Sequence, residues 1–275
     1  MRFFLCVTAT FASILVESAS FAQPSSNPTI KELVAKLPQS AQAYQAQIQA
    51  AYANHEDKKV RVLIRDLADS HAKNAIVLTY CATYMNDIED YVSVITYSTD
   101  ALKIDPKNSL TRHLRGAAYY FSGQYQKAID DLTQAITLNS KVSNMYHVRA
   151  LAHSKLNQYS EALKDIQAAR KISDTNMLHL IECVLYVDDL QLTKGLKCLN
   201  GYLDRKPSDW QASRLKISVL MLLGKNDEAQ AEYTRIAKHT PVGDSDLMEI
   251  RSAVDEIKRI YPDKIRAQIA NLNKQ

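Results

Sequence analysis

Apolar and polar positions along this chain follow the period of amphipathic helices, and the helices themselves recur. In "GQYQKAIDDLTQAITLNS", residues 123–140, Ala128, Leu132 and Ala135 fall at i, i+4 and i+7, one face of a helix. "NQYSEALKDIQAARKISD", residues 157–174, repeats the pattern after a step of 34 residues: Tyr125 returns as Tyr159, Ala128 as Ala162, Leu132 as Ile166 and Ala135 as Ala169. The same step backwards reaches Tyr91 and Ala101, with Pro106 closing that unit. One step further back the helix–turn–helix pattern persists, although Asp57 holds the slot of Tyr125. Forwards, Pro207 closes a unit one place early, and Gly224, Ala229, Tyr233 and Pro241 return in register. Leu247, Ile250, Val254 and Ile257 then mark one helix, Pro262 breaks it, and Ile265, Ile269 and Leu272 mark another.

The recurring residue types have physical reasons. Gly116 and Ala150 are small, which lets a second helix approach through Ala128 and Ala162; interiors are packed to near-crystalline density, so a bulky residue there pushes the helices apart. Gly123 permits a tight turn between helices. Pro106 and Pro241 end a second helix and turn the chain into the next unit. One helix pair cannot bury its apolar face alone, so stacked neighbours supply the core.

Gly116, Tyr119, Ala128, Leu132 and Ala135 in one unit, and Ala150, Ala162, Ile166 and Ala169 in the next, together with the 34-residue step, resemble the tetratricopeptide repeat family over about residues 41–243. The resemblance implies an all-α fold: an α-solenoid of about six antiparallel helix pairs, wound as a right-handed superhelix, with first helices lining the concave surface. The expected organisation is a signal peptide over 1–22, a flexible leader and short helix over 23–40, the repeat domain over 41–243, and capping helices over 244–275 that shield the last repeat from water.

Six glycines in 275 residues leave few phosphate-cradling loops and few strand turns. A net charge of +4, without local clustering of Lys and Arg, does not predict nucleic-acid binding. Arg2, the apolar run Phe3–Val16 and the small residues around Ser20-Phe21-Ala22 read as a secretory signal cleaved after Ala22, so the chain is expected to be exported, periplasmic or secreted, without stable membrane insertion afterwards. The competing reading is an uncleaved N-terminal anchor helix. No Asn-x-Ser/Thr site occurs except the proline-blocked Asn27-Pro28-Thr29, which favours a bacterial envelope. Cys81, Cys183 and Cys198 are expected to be buried, unpaired thiols, because the repeat register points Cys198 away from the helix carrying Cys183.

Catalytic chemistry finds no constellation. His55-Glu56 opens like a zinc-protease motif, but Lys59 stands in the place of the second histidine. His179 and Cys183 stand four apart, two ligands where a tetrahedral site needs more, and read as packing residues. Asp188-Asp189 reads as a solvated helix end. No enzyme activity, cofactor or metal is predicted. Some relatives in the family clamp a C-terminal carboxylate with Lys and Asn; Thr79, Thr83, His113, Ala117, His147 and Leu151 occupy the corresponding faces here, so that clamp is not implied. The partner predicted is a protein: a peptide or helix held in the groove by Thr79, Thr83 and Asn86 from one unit, His113, Tyr120 and Phe121 from the next, and Asn144, His147, Leu151 and Lys155 from a third. Tyr120 and Phe121 are expected to form its aromatic centre within a polar rim, against the plainer reading that they pad contacts between units. A second functional reading is an assembly factor of a cell-envelope complex, using the ends or convex face of the array.

Overall fold

The structure, a computed structural model, describes residues 28–238 and 243–272. The signal segment expected over 1–22 lies outside them. Among the described residues the regular structure is entirely α-helical, fifteen helices in contacting antiparallel neighbours, and no strand occurs. They fall into two compact units. The first holds α1 (Pro28–Ala35), α2 (Gln39–Ala53), α3 (Asp57–Ser70), α4 (Ala75–Asp87), α5 (Tyr91–Ile104), α6 (Ser109–Phe121), α7 (Tyr125–Leu138) and α8 (Ser143–Lys155). The second holds α9 (Tyr159–Ile172), α10 (Asn176–Asp188), α11 (Leu192–Leu203), α12 (Trp210–Leu222), α13 (Asn226–Ala237), α14 (Asp244–Ile260) and α15 (Pro262–Leu272).

Local chemistry repeats with the helices. Polar caps start the first helix of several pairs: Asn74 accepts from the amides of Ile76 and Val77, Asn108 from Thr111, Thr175 from Leu178 and Asp209 from Ala212. The turn into each second helix passes through one residue of left-handed conformation: His55, Glu89, Gly123, Asn157, Leu190 and Gly224. These stand 34 apart except for a single step of 33 between Asn157 and Leu190, which is why Pro207 closes its unit one place early. Five residues after each turn comes a buried, small or β-branched position, filled in order by Val60, Val94, Ala128, Ala162, Gly195 and Ala229.

Close approach at these positions is measurable. A Cβ added to Gly116 on α6 would stand 2.8 Å from Cγ of Leu132 on α7, and one added to Gly195 on α11 would stand 2.7 Å from Cγ2 of Val187 on α10. Both are closer than packed carbon atoms tolerate. Each unit has its own apolar cluster. In the first it includes Ile48, Ile64, Leu67, Tyr80 and Met85; in the second, Leu192, Leu199, Leu215 and Leu220. The terminal pair joins the second cluster through Ile250 and Val254 of α14 and Ile265 of α15.

Candidate functional site: the first-helix face of α4, α6 and α8

The first helices of the first unit lie side by side, α4 against α6 and α6 against α8. Polar side chains join them. The hydroxyls of Thr79 and Thr111 share a hydrogen bond of 2.7 Å between α4 and α6, and Thr83 donates to the Thr79 carbonyl at 2.9 Å. Asn144 Nδ2 meets His113 Nε2 at 3.4 Å between α8 and α6.

A cavity of about 330 Å³ opens on this face. Thr83, Asn86 and Asp87 of α4, His113 of α6 and Asn144 of α8 supply polar walls, Leu110, Leu114 and Met145 apolar ones, and α1, which packs on α4, contributes Glu32. Asn86 is only 6% exposed, yet its Oδ1 has no hydrogen-bond partner, and the same holds for Oδ2 of Asp87. A buried acceptor left unmade costs on the order of 1–3 kcal/mol. Burial pushes the Asp87 carboxyl up to about 7, opposed by a hydrogen bond from Asn86. Burial holds His113 down at about 4, so its imidazole is neutral at pH 7. Among the described residues no Lys or Arg lines the cavity. Its formal charges are two carboxylates, Glu32 and Asp87, on a chain whose net charge is +4. Such a site can accept hydrogen bonds and hold a cation.

The structure brings Thr83, Asn86, His113 and Asn144 together around the cavity. Thr79 is wholly buried between α4 and α6. His147 and Leu151 are buried along α8 and do not line the cavity, and Lys155 is exposed at the end of that helix. The expected aromatic centre is corrected. Tyr120 is 5% exposed, edge-on to Phe121 and tilted against Tyr125, and Phe121 stacks on Tyr91 at 4.9 Å. These rings fill the seam between α6 and its neighbours, where covering apolar area outweighs presenting it to a partner. Asp87 and Glu32 were missed by the sequence reading. Asp87 directly follows Asn86, and a carboxylate at the end of a polar first-helix face is the signal that would have found it. Glu32 carried no such signal, because only the docking of α1 on α4 brings it there.

Residues 111–142 match the family model described as tetratricopeptide repeat. The chain carries a tetratricopeptide repeat there. Solved tetratricopeptide structures share its fold at low sequence identity. A tetratricopeptide repeat protein from Parabacteroides merdae is 15% identical, with a TM-score of 0.65 over 86% of this chain and 93% of that one. MamA from Desulfovibrio magneticus is 15% identical, with a TM-score of 0.57 over 63% of this chain and 98% of that one. YrrB, titled a TPR protein with an unusual peptide-binding site, is 14% identical, with a TM-score of 0.58 over 67% of this chain and 96% of that one. No curated protein matches the sequence. Among the described residues no helix is long and apolar enough to cross a membrane.

A second polar cluster lies in the other unit and corrects the thiol expectation. Cys183 of α10 and Cys198 of α11 form a disulfide, their Cα atoms 5.3 Å apart; among the described residues Cys81 is the remaining cysteine, a free, buried thiol. The shortened repeat explains the pairing. Corrected for the 33-residue step, Cys198 occupies the slot held by Asp131 and Glu232, whose carboxylates face the first helix of their own pair: Asp131 meets Arg115, and Glu232 meets Lys216. A uniform 34-residue register places Cys198 one position off, which on a helix is a rotation of about 100°.

Proposed function

We propose that this protein is an exported adaptor that holds an extended segment of a partner protein on the face of α4, α6 and α8, with a cationic group of that segment seated between Asp87 and Asn86. One observation carries this reading: two orphan acceptor oxygens, Asn86 Oδ1 and Asp87 Oδ2, belong to residues that line a cavity whose described walls include two carboxylates and no cation. A Lys, Arg or N-terminal ammonium supplies the donors and the charge that these groups lack. The leucines and Met145 offer the apolar contact that a neighbouring side chain needs. The peptide-binding site in YrrB's title lends the reading support by analogy of fold alone.

The test begins with a pulldown from the envelope fraction and proceeds to titration of the captured partner. Asp87→Asn, which keeps the side-chain volume, is expected to weaken binding at least tenfold at pH 8 while the protein stays folded. Unchanged affinity would remove this cavity from the function. Intact mass of the exported protein checks the localisation: a chain beginning at Gln23 is expected, and full-length protein recovered from the cytosol overturns export.

The second reading, an assembly factor, is favoured by exposed apolar residues on second helices. Ile104 and Leu138 hold the same position, one repeat apart, at the ends of α5 and α7, and both are exposed, as is Val92 at 76%. Partner capture abolished by Leu138→Glu and indifferent to Asp87→Asn would select it.

A further inference from the structure

We propose that His179, Cys183 and Cys198 form a metal site for a thiophilic d10 cation, Zn²⁺ or Cu⁺, which opens when the Cys183–Cys198 disulfide is reduced. His179 and Cys183 are one turn apart on α10 and share a helix face; Cys198 reaches them from α11. One ring nitrogen of His179 and the two sulfurs all lie within 4.8 Å of one another. Ligands bound to one ion at about 2.0–2.3 Å stand roughly 3.5–4 Å apart, so separation of the sulfurs and small side-chain rotations complete the set.

A plain structural disulfide does not account for His179. Its Nδ1 is buried and has no hydrogen-bond partner, a costly state for an imidazole nitrogen and one that ligation removes. The ring is held edge-on against Tyr202, whose hydroxyl donates to Asp209 at 2.7 Å, so its orientation is fixed by neighbours outside the ligand set. Cys183 is buried while His179 and Cys198 are half-buried, which leaves one side open for ion entry and for a water as fourth ligand. Two thiolates and an imidazole, with no carboxylate in the set, select soft or borderline cations over Mg²⁺ and Ca²⁺. Two ligands read from sequence become three once the repeat is brought into its true register.

The oxidised pair offers no thiolate. A dithiol reductant opens it by exchange: one of its thiolates attacks a cysteine sulfur, the other cysteine leaves as a thiolate, and the reductant's second thiol resolves the mixed disulfide. The protein then carries two thiols and the reductant one disulfide. Metal binding displaces the two thiol protons to solvent.

The experiment uses full-length mature protein in two samples, one oxidised and one reduced with dithiothreitol and desalted without oxygen. Co²⁺ serves as the optical probe for the Zn²⁺ arm, and Cu⁺ is delivered against a competing chromophoric chelator. The reduced protein is expected to take up one ion per chain, with a thiolate-to-cobalt charge-transfer band, and the oxidised protein none. His179→Gln, checked for folding by circular dichroism, is expected to lower affinity at least tenfold and to change the ligand-field spectrum. Uptake of Cu⁺ alone assigns a three-coordinate site, and uptake of Co²⁺ and Zn²⁺ a tetrahedral one. Failure of the reduced wild type to bind either class overturns the proposal, as does His179→Gln binding as tightly as wild type.

Discussion

Glu89 stands at φ 58° with its side chain exposed, a left-handed conformation that costs an L-residue roughly 1–2 kcal/mol. Two of its five counterparts, Gly123 and Gly224, avoid that strain. Glu89→Gly is therefore expected to raise stability by about 0.5–1 kcal/mol, the relief of strain less glycine's extra freedom in the unfolded chain, measured by denaturant melts. The opposite change fails where space is short. Gly116→Ala drives a methyl against fully buried Leu132 and is expected to cost about 1–3 kcal/mol in the same assay. Both effects trace to residues the repeat singles out. Gly116 and Gly123 were legible because each occupies a slot that tolerates few alternatives. Glu89 was not, since a charged residue in a turn announces no backbone strain. The disulfide escaped for a related reason: the early Pro207 shows that a position is missing but not that it falls between Asn157 and Leu190, and every orientation assigned beyond that point turns with the omission.

At the scale of helices, periodicity told which faces are apolar but not which of two adjacent rings a face claims. On α6, Tyr120 is covered by Phe121 and Tyr125. Burial pushes its phenol up, as expected for a ring enclosed by other rings. Tyr120→Ala is accordingly expected to destabilise the protein by about 3 kcal/mol and to weaken partner binding only in step with unfolding, a distinction that paired thermal melts and titrations draw. The polar part of the first-helix face was more readable, because Thr83, Asn86, His113 and Asn144 interrupt otherwise apolar faces. What periodicity does not encode is docking by a helix outside the repeat. The contribution of α1, and with it Glu32, depends on tertiary packing of a short segment whose sequence shows only that it is amphipathic.

For the whole molecule, three buried titratable groups shape stability against pH. Asp87 is raised from 3.8 to about 7, so its contribution is present below about 4 and is lost as pH rises through 7. His113 and His147 are lowered from 6.5 to about 4 by burial, so their contributions are present above 6.5 and are lost as pH falls towards 4. Between these limits the unfolded chain takes up two protons on the histidines while the folded one keeps a single proton on Asp87. The melting temperature is therefore expected to climb from pH 4.5 to 6.5 and then to slip slightly through pH 7. Asp87→Asn should remove the slip and steepen the climb; a profile unchanged by that substitution would show that Asp87 is not buried as an acid.

The left-handed residues also mark where the chain can be cut and rejoined. His55, Glu89, Gly123 and Asn157 are equivalent joints separated by one constant length. Excising residues 90–123 would therefore bring the segment after Gly123 into the place of the segment after Glu89, with every cap and turn still in phase. The same excision across Asn157 and Leu190 removes 33 residues instead, yet joins equivalent points just as well. A lost codon there shortens one unit without disturbing those on either side, so the chain can gain, lose or duplicate units while its joints keep count.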